Sequence, residues 1–191
     1  MSIMIFEETK LKGAFLIKPE KKEDERGFFA RAFCQQEFMD HGLHADIVQC
    51  DNSYNKKKGT FRGMHFQVAP YEEDKIVSCT LGALLDFIVD LRPASSTFKQ
   101  VINVELSQQN GYLLYVPKSF AHGFFTLLDS TQVFYQMTQY YHPECARGFR
   151  YDDPAFDIHL PFGITAIAER DKKYPDLFKS TLKNEYEFGS H

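Results

Sequence analysis

Thr60-Phe61-Arg62-Gly63-Met64-His65-Phe66-Gln67, residues 60–67, is the stretch from which the rest of the chain is read. It has the length and aromatic content of a short β-strand. A turn rich in lysine, Asn55-Lys56-Lys57-Lys58-Gly59, precedes it, and Pro70 follows soon after. An arginine and a histidine sit within an otherwise apolar run. A lone strand histidine is usually a hydrogen-bonded structural residue, so any chemistry must be argued from its surroundings.

Working outward, the same grammar of short strand and turn recurs. Met4–Glu7 and Gly13–Lys18 read as strands ending at Pro19, Lys21–Arg26 as a charged loop, and Gly27–Phe33 as a strand. Gln35–Asp40 is expected to be a short helix stopped near Gly42, and Asp46–Tyr54 a strand. Lys75–Arg92 divides at Gly82 into two strands. Val101–Leu106, Tyr112–Val116, Gly123–Leu128 and Gln132–Thr138 are further strands separated by Arg92-Pro93, Gln109-Asn110-Gly111 and Asp129-Ser130. Many short strands at this spacing predict an antiparallel sandwich or barrel. Residues after Asp152-Asp153-Pro154, and the tail from 155 to 191, read as loop and helix, with Gly189-Ser190-His191 as a disordered end.

Composition narrows the function classes. The chain has 191 residues and 43% apolar content, enough for one domain over residues 1–191. Nineteen Phe and ten Tyr, with no Trp, favour β structure. A net charge of −4 suggests no global attraction to nucleic acid or an anionic membrane. No apolar run reaches a membrane span and the start lacks a basic leader. Cys34, Cys50, Cys79 and Cys145 are far apart, which suits reduced thiols in the cytoplasm.

Gly111, Pro117 and His122 carry the frame Gly-x5-Pro-x4-His. It is the second motif of the cupins, whose fold is a double-stranded β-helix or jelly roll. Their first, metal-binding motif is degraded here: His65 is followed by Phe66-Gln67 rather than x-His. Two histidines and a glutamine are a poor set for zinc or iron, so the frame supports the fold and argues against a metal.

A closer resemblance follows from an ordered set of motifs between Asp24 and Pro175. They are Asp24-Glu25-Arg26-Gly27-Phe28-Phe29, Arg62–Gln67, Lys75-Ile76-Val77, Asp86-x-x-Val89-Asp90-Leu91-Arg92, Pro117-x-x-Phe120-Ala121-His122-Gly123-Phe124, Tyr135-x-x-Thr138-x-Tyr140-Tyr141 and Arg147-Gly148-x-Arg150-x-Asp152-Asp153-Pro154. The set resembles the dTDP-4-dehydrorhamnose 3,5-epimerases. The resemblance implies a mainly β, cupin-like jelly roll with a few short helices. It implies a cytoplasmic homodimer, with the strands of residues 1–20 a candidate for exchange between subunits. The implied reaction inverts C3, C5 or both of a nucleotide-diphosphate-linked 4-keto-6-deoxyhexose in deoxysugar and polysaccharide biosynthesis, with no metal or organic cofactor.

Such chemistry has clear demands. A proton beside a ketone is weakly acidic, so a base is needed on one face, an acid on the other, and a donor or cation for the enolate oxygen. By resemblance, His65 is the base, Asp171 orients it, Tyr135 is the opposite acid and Lys75 is the cation. On their own, Asp171 would read as a charged surface turn, Tyr135 as a core tyrosine and Lys75 as a surface lysine. Arg26 and Arg62 match diphosphate contacts, where a guanidinium can bind two oxygens at once. His122 and Tyr141 match sugar or phosphate contacts, and Phe29 a pocket wall.

Several substrate positions depart from the family pattern. Arg31 and Ala146 each replace a glutamate, Gln49-Cys50-Asp51 replaces Gln-x-Asn, and Arg170 replaces a lysine. Gln49, Asp51, Arg31 and Arg170 are therefore further candidate substrate contacts. These changes predict retained chemistry on an altered nucleotide or sugar, with a CDP-linked one leading. The rival readings are a metal-dependent cupin isomerase or oxygenase and a non-catalytic nucleotide-sugar binder.

Overall fold

The computed structural model describes residues 3–178. Its strands are β1 (Met4–Glu8), β2 (Phe15–Pro19), β3 (Lys22–Asp24), β4 (Gly27–Phe29), β5 (Gln49–Asn55), β6 (Thr60–Gln67), β7 (Lys75–Leu81), β8 (Ala83–Asp90), β9 (Val101–Ser107), β10 (Leu113–Val116), β11 (Phe120–Thr126), β12 (Thr131–Met137), β13 (Ala146–Gly148) and β14 (Ala166–Ile167). The two short helices are α1 (Gln35–Asp40) and α2 (Glu169–Lys173). One sheet runs β1-β2-β10-β7-β12-β5 and the other β13-β6-β11-β8-β9, with β14 added beside β6. All pairings are antiparallel except β14 on β6. The strand and turn pattern predicted an antiparallel sandwich or barrel, and this is the cupin-like jelly roll expected from the Gly111–Pro117–His122 frame and the family resemblance.

The period of two along each strand divides the apolar residues among three layers. Leu114, Val116, Val77, Leu84, Ile88, Phe120, Phe124 and Val133 pack between the two sheets. Their neighbours Leu113, Tyr115 and Ile76 point the other way, into a layer closed by Phe38 of α1 and by Met4 and Ile17. Phe61, Met64, Phe87, Val89, Ala121 and Phe125 form the third layer on the back of the second sheet. The chain from Phe149 to Phe178 covers it. Residues 155–178 thus lie over a sheet face.

Two local expectations differ from the structure. Lys22–Asp24 is a strand, paired with a Gly27–Phe29 strand that stops before Phe33. The short strands Ala146–Gly148 and Ala166–Ile167 carry too little pattern of their own and form because β6 offers them an edge. Gly189-Ser190-His191 lies outside the described residues.

Candidate active site

The site begins with an irregularity in β6. His65 pairs with His122 of β11, and Arg62 pairs with Phe124, so three steps along β6 match two along β11. The additional residue is a bulge at Gly63, whose φ is +134°, in the region open to glycine. In a regular strand residues 62 and 65 would face opposite ways. The bulge turns both toward the space between the sheets, while Phe61, Met64 and Phe66 stay in the outer layer. The two strands also approach too closely for side chains there. A Cβ on Gly63 would lie 2.5 Å from Gly123 Cα.

Arg62 and His65 open onto a cavity of about 330 Å³ between the sheets, within the usual range for a small-ligand site. His122 joins them from β11. The opposite sheet contributes Lys75 from β7, Tyr135 from β12, and Gln49 and Asp51 from β5. The spacing of two between Gln49, Asp51 and Ser53 puts all three on the cavity side.

Asp171 arrives from far along the chain. Parallel pairing of Ala166 and Ile167 with Thr60 and Phe61 leads the backbone alongside β6. The single turn of α2 then lowers Asp171 onto the bulge, where it is 2% exposed. His65 Nε2 donates to Asp171 Oδ1 at 2.8 Å, and the Gly63 N–H donates to Oδ2 at 3.3 Å. Burial, with the charges of Lys75 and Arg170, holds the imidazole pKa below its ordinary value, although Asp171 pulls it up. Burial pushes the Asp171 carboxyl up, but the bonds from His65 and Gly63 and the nearby Arg170 outweigh it and the net shift is downward. The pair is therefore a neutral imidazole on a carboxylate at neutral pH. With Nε2 carrying the hydrogen, Nδ1 carries the lone pair and can accept a proton.

Tyr135 is held in the opposite state. Burial and the nearby Asp86 carboxylate raise its pKa well above the usual phenol range, against smaller lowering effects from Arg62 and Ser53. It remains a protonated donor at any working pH. Behind it lies a second pair: His122 Nε2 donates to Asp86 Oδ2 at 3.0 Å, and the His122 ring meets the Tyr135 ring edge-on at 6.0 Å. Burial raises the Asp86 carboxyl, against the pull of His122 and Lys75. Each cavity histidine thus has its Nε2 bound to its own aspartate, which fixes the tautomer of both rings.

Lys75 faces the cavity and pairs with Glu73 at 2.9 Å. Arg62 Nε is held by Asn55 Oδ1 at 2.8 Å. Gln49 receives the Tyr141 backbone N–H at 3.1 Å and donates to Asp51 at 2.8 Å. Arg170 and Tyr141 stand at the mouth, with the Arg170 guanidinium raised by its neighbours Tyr174, Asp171 and Tyr141 against the cost of burial.

Not every sequence candidate is in this cavity. Arg26 lies on the β3–β4 hairpin, 90% exposed and paired with Asp24 at 2.5 Å. Phe29 is 70% exposed on the same hairpin. Arg31 forms an ion pair with Glu37 of α1, away from the cavity. Glu73, Gln67, Arg147 and Tyr174 are among the lining residues that escaped sequence reasoning as site residues. Arg147 lies within a quoted motif, and Gln67 at the end of the opening stretch was used only against a metal. Glu73 was hidden in an acidic run and Tyr174 in a charged tail.

Comparison with known proteins agrees with this geometry. The family model for dTDP-4-dehydrorhamnose 3,5-epimerase matches residues 8–179. A dTDP-4-dehydrorhamnose 3,5-epimerase of Sinorhizobium fredii is 39% identical over 184 residues, covering 96% of this chain and 94% of that protein. The structure of the Bacillus anthracis enzyme with TDP and pyrophosphate bound superposes with a TM-score of 0.86 at 36% identity, over 92% of this chain and 100% of that one. The Legionella pneumophila enzyme in complex with dTDP-4-keto-L-rhamnose gives a TM-score of 0.84 at 34% identity, over 89% and 90% of the two chains.

Proposed function

Because the chain belongs to the dTDP-4-dehydrorhamnose 3,5-epimerase family, we propose that this nucleotide-sugar epimerase inverts C3 and C5 of a dTDP-linked 4-keto-6-deoxyhexose. The observation that carries the reading is the opposition across one cavity. A neutral His65 on Asp171 comes from one sheet, and a protonated Tyr135 with the Lys75 cation comes from the other.

A hexose ring between the sheets meets a base on one face and an acid on the other. His65 Nδ1 takes the proton from the carbon beside the ketone. The electrons move onto the ketone oxygen, where the Lys75 ammonium stabilises the enolate. Tyr135 returns a proton to the carbon from the opposite face, inverting it. The proton on His65 leaves to solvent and the phenol is reprotonated, so each inversion draws its new hydrogen from water. Asp171 keeps the imidazole in the right tautomer and stabilises its charged form. Arg62 and Arg170 bind the diphosphate, and His122, Gln49, Asp51 and Tyr141 contact the sugar or nucleotide.

The altered charge at Arg31 suggested a changed nucleotide. Arg31 pairs with Glu37 outside the cavity, whereas the other departures, Asp51, Ala146 and Arg170, line it; the dTDP reading rests on the family's own substrate. The chain acts as a homodimer, in which the exposed Arg26, Phe28 and Phe29 hairpin adds to a site from the second copy. No described helix is long and apolar enough to cross a membrane. With four free cysteines, this supports a cytoplasmic enzyme.

The test is incubation with dTDP-4-keto-6-deoxyglucose in deuterated water, followed by NMR of the product. Deuterium at C3 and C5 with inversion at both is expected. Deuterium at one carbon only would reduce the activity to a mono-epimerase, and none would refute the reading. Calorimetry with dTDP, CDP, UDP and GDP is expected to rank dTDP tightest.

A further inference from the structure

Residues 72–74 are an acidic run, Glu72-Glu73-Asp74, leading into Lys75. Two of the three carboxylates serve the scaffold. Glu72 accepts from Ser119 Oγ at 2.5 Å. Asp74 accepts from the Lys118 N–H at 3.0 Å and bonds His44 at 3.1 Å. Only Glu73 turns to the cavity, where its side chain is 10% exposed and its Oε1 lies 2.9 Å from Lys75 Nζ.

An unpaired carboxylate here would be costly and would oppose an enolate, so its presence needs a reason. The geometry supplies one. Lys75 is the first residue of β7, fixed in backbone register between Val116 and Met137. Its ammonium hangs from a flexible four-carbon stem with three rotatable donors. One donor is spent on Glu73, which fixes the swing of the head and leaves two for a ligand oxygen.

We propose that Glu73 is a positioning residue for the epimerisation: it aims the Lys75 ammonium at the ketone oxygen of the substrate. This rests on the epimerase reading given above. Glu73 makes no proton transfer of its own. Its function is to convert a mobile cation into an aligned donor, and alignment of such groups is worth large factors in rate.

The test is a double-mutant cycle on the whole chain, reading solvent deuterium incorporation and steady-state kinetics. Glu73→Ala is expected to lower kcat by about 10- to 100-fold with KM within about threefold, because ground-state binding by the arginines is untouched. Glu73→Gln retains an acceptor at the same place and is expected to keep activity within about threefold of wild type. In a Lys75→Ala background, Glu73→Ala should add nothing. Equal loss in both Glu73 variants, an effect confined to KM, or an undiminished effect without Lys75 would overturn the proposal. Circular dichroism and melting curves separate these from unfolding. A wild-type enzyme that catalysed no exchange on any nucleotide-linked 4-keto sugar would instead defeat the epimerase reading, and the proposal with it.

Discussion

Asp171→Asn is the most informative single change at this site. It is nearly isosteric, so the fold around α2 should persist, but it removes the charge under His65. Asp171 uses both oxygens: Oδ1 accepts from His65 Nε2 at 2.8 Å and Oδ2 from the Gly63 N–H at 3.3 Å. An asparagine has one oxygen and one NH2 group. If its oxygen faces His65, the NH2 opposes the Gly63 N–H, donor against donor. If its oxygen faces Gly63, the NH2 points at Nε2, which must then become the acceptor. The hydrogen then moves to Nδ1, the atom that should take the substrate proton. A lost charge-assisted bond costs about 1.5–3 kcal/mol, or about 10- to 150-fold in rate. An inverted tautomer raises the loss to as much as about 10⁴-fold. We expect a fall between roughly 10 and 10⁴ in solvent exchange, with dTDP affinity by calorimetry nearly unchanged. Exchange within about threefold of wild type would refute the dyad, since neither orientation of the amide preserves both bonds.

The pH profile provides a second check. Burial lowers the His65 pKa despite Asp171, so the active neutral form persists below the ordinary histidine value of 6.5. The acid limb of kcat/KM is expected below that value. It should move lower still in Asp171→Asn, because Asp171 favours the protonated ring. Tyr135 is raised, so no alkaline limb from it is expected below about pH 10. Gly63→Ala should destabilise the fold, since its φ is +134° and the new Cβ would sit 2.5 Å from Gly123 Cα. Strain of this kind is worth about 1–3 kcal/mol, or roughly 2–12 °C of Tm. Activity should fall further, because the bulge aims Arg62 and His65. Exhaustive dialysis against a strong chelator should leave the rate unchanged, since among the described residues no three His, Cys, Asp or Glu side chains are grouped to hold a metal ion.

Much of the fold was legible because the barrel writes itself in short strands. Gly82 separated β7 from β8, and the Gly111–Pro117–His122 frame placed β10 and β11. The bulge was not legible. Thr60–Gln67 reads as an ordinary strand, and in an ordinary strand Arg62 and His65 could not share a face. Only the register with β11 exposes the added residue at Gly63. Asp171 was hidden for a related reason. In Glu169-Arg170-Asp171-Lys172-Lys173 every residue looks solvated, and its burial depends on β14 docking on β6. Only the family motif identified it. The same family resemblance brought in Arg26 as a match and Arg31 as a departure, and this chain places both outside its own cavity. Glu73 was lost among three consecutive carboxylates whose separate tasks depend on tertiary neighbours.

The central claim is that base and acid address opposite faces of the sugar. Tyr135→Phe tests it most directly, with His65→Ala as its partner and deuterium incorporation and C3/C5 configuration read together by NMR. Removing the phenol should leave His65 able to open and re-close the carbon on its own face. Deuterium would then enter with little inversion, while His65→Ala would abolish entry altogether. Full inversion by Tyr135→Phe, or exchange at the wild-type rate by His65→Ala, would contradict the two-face account.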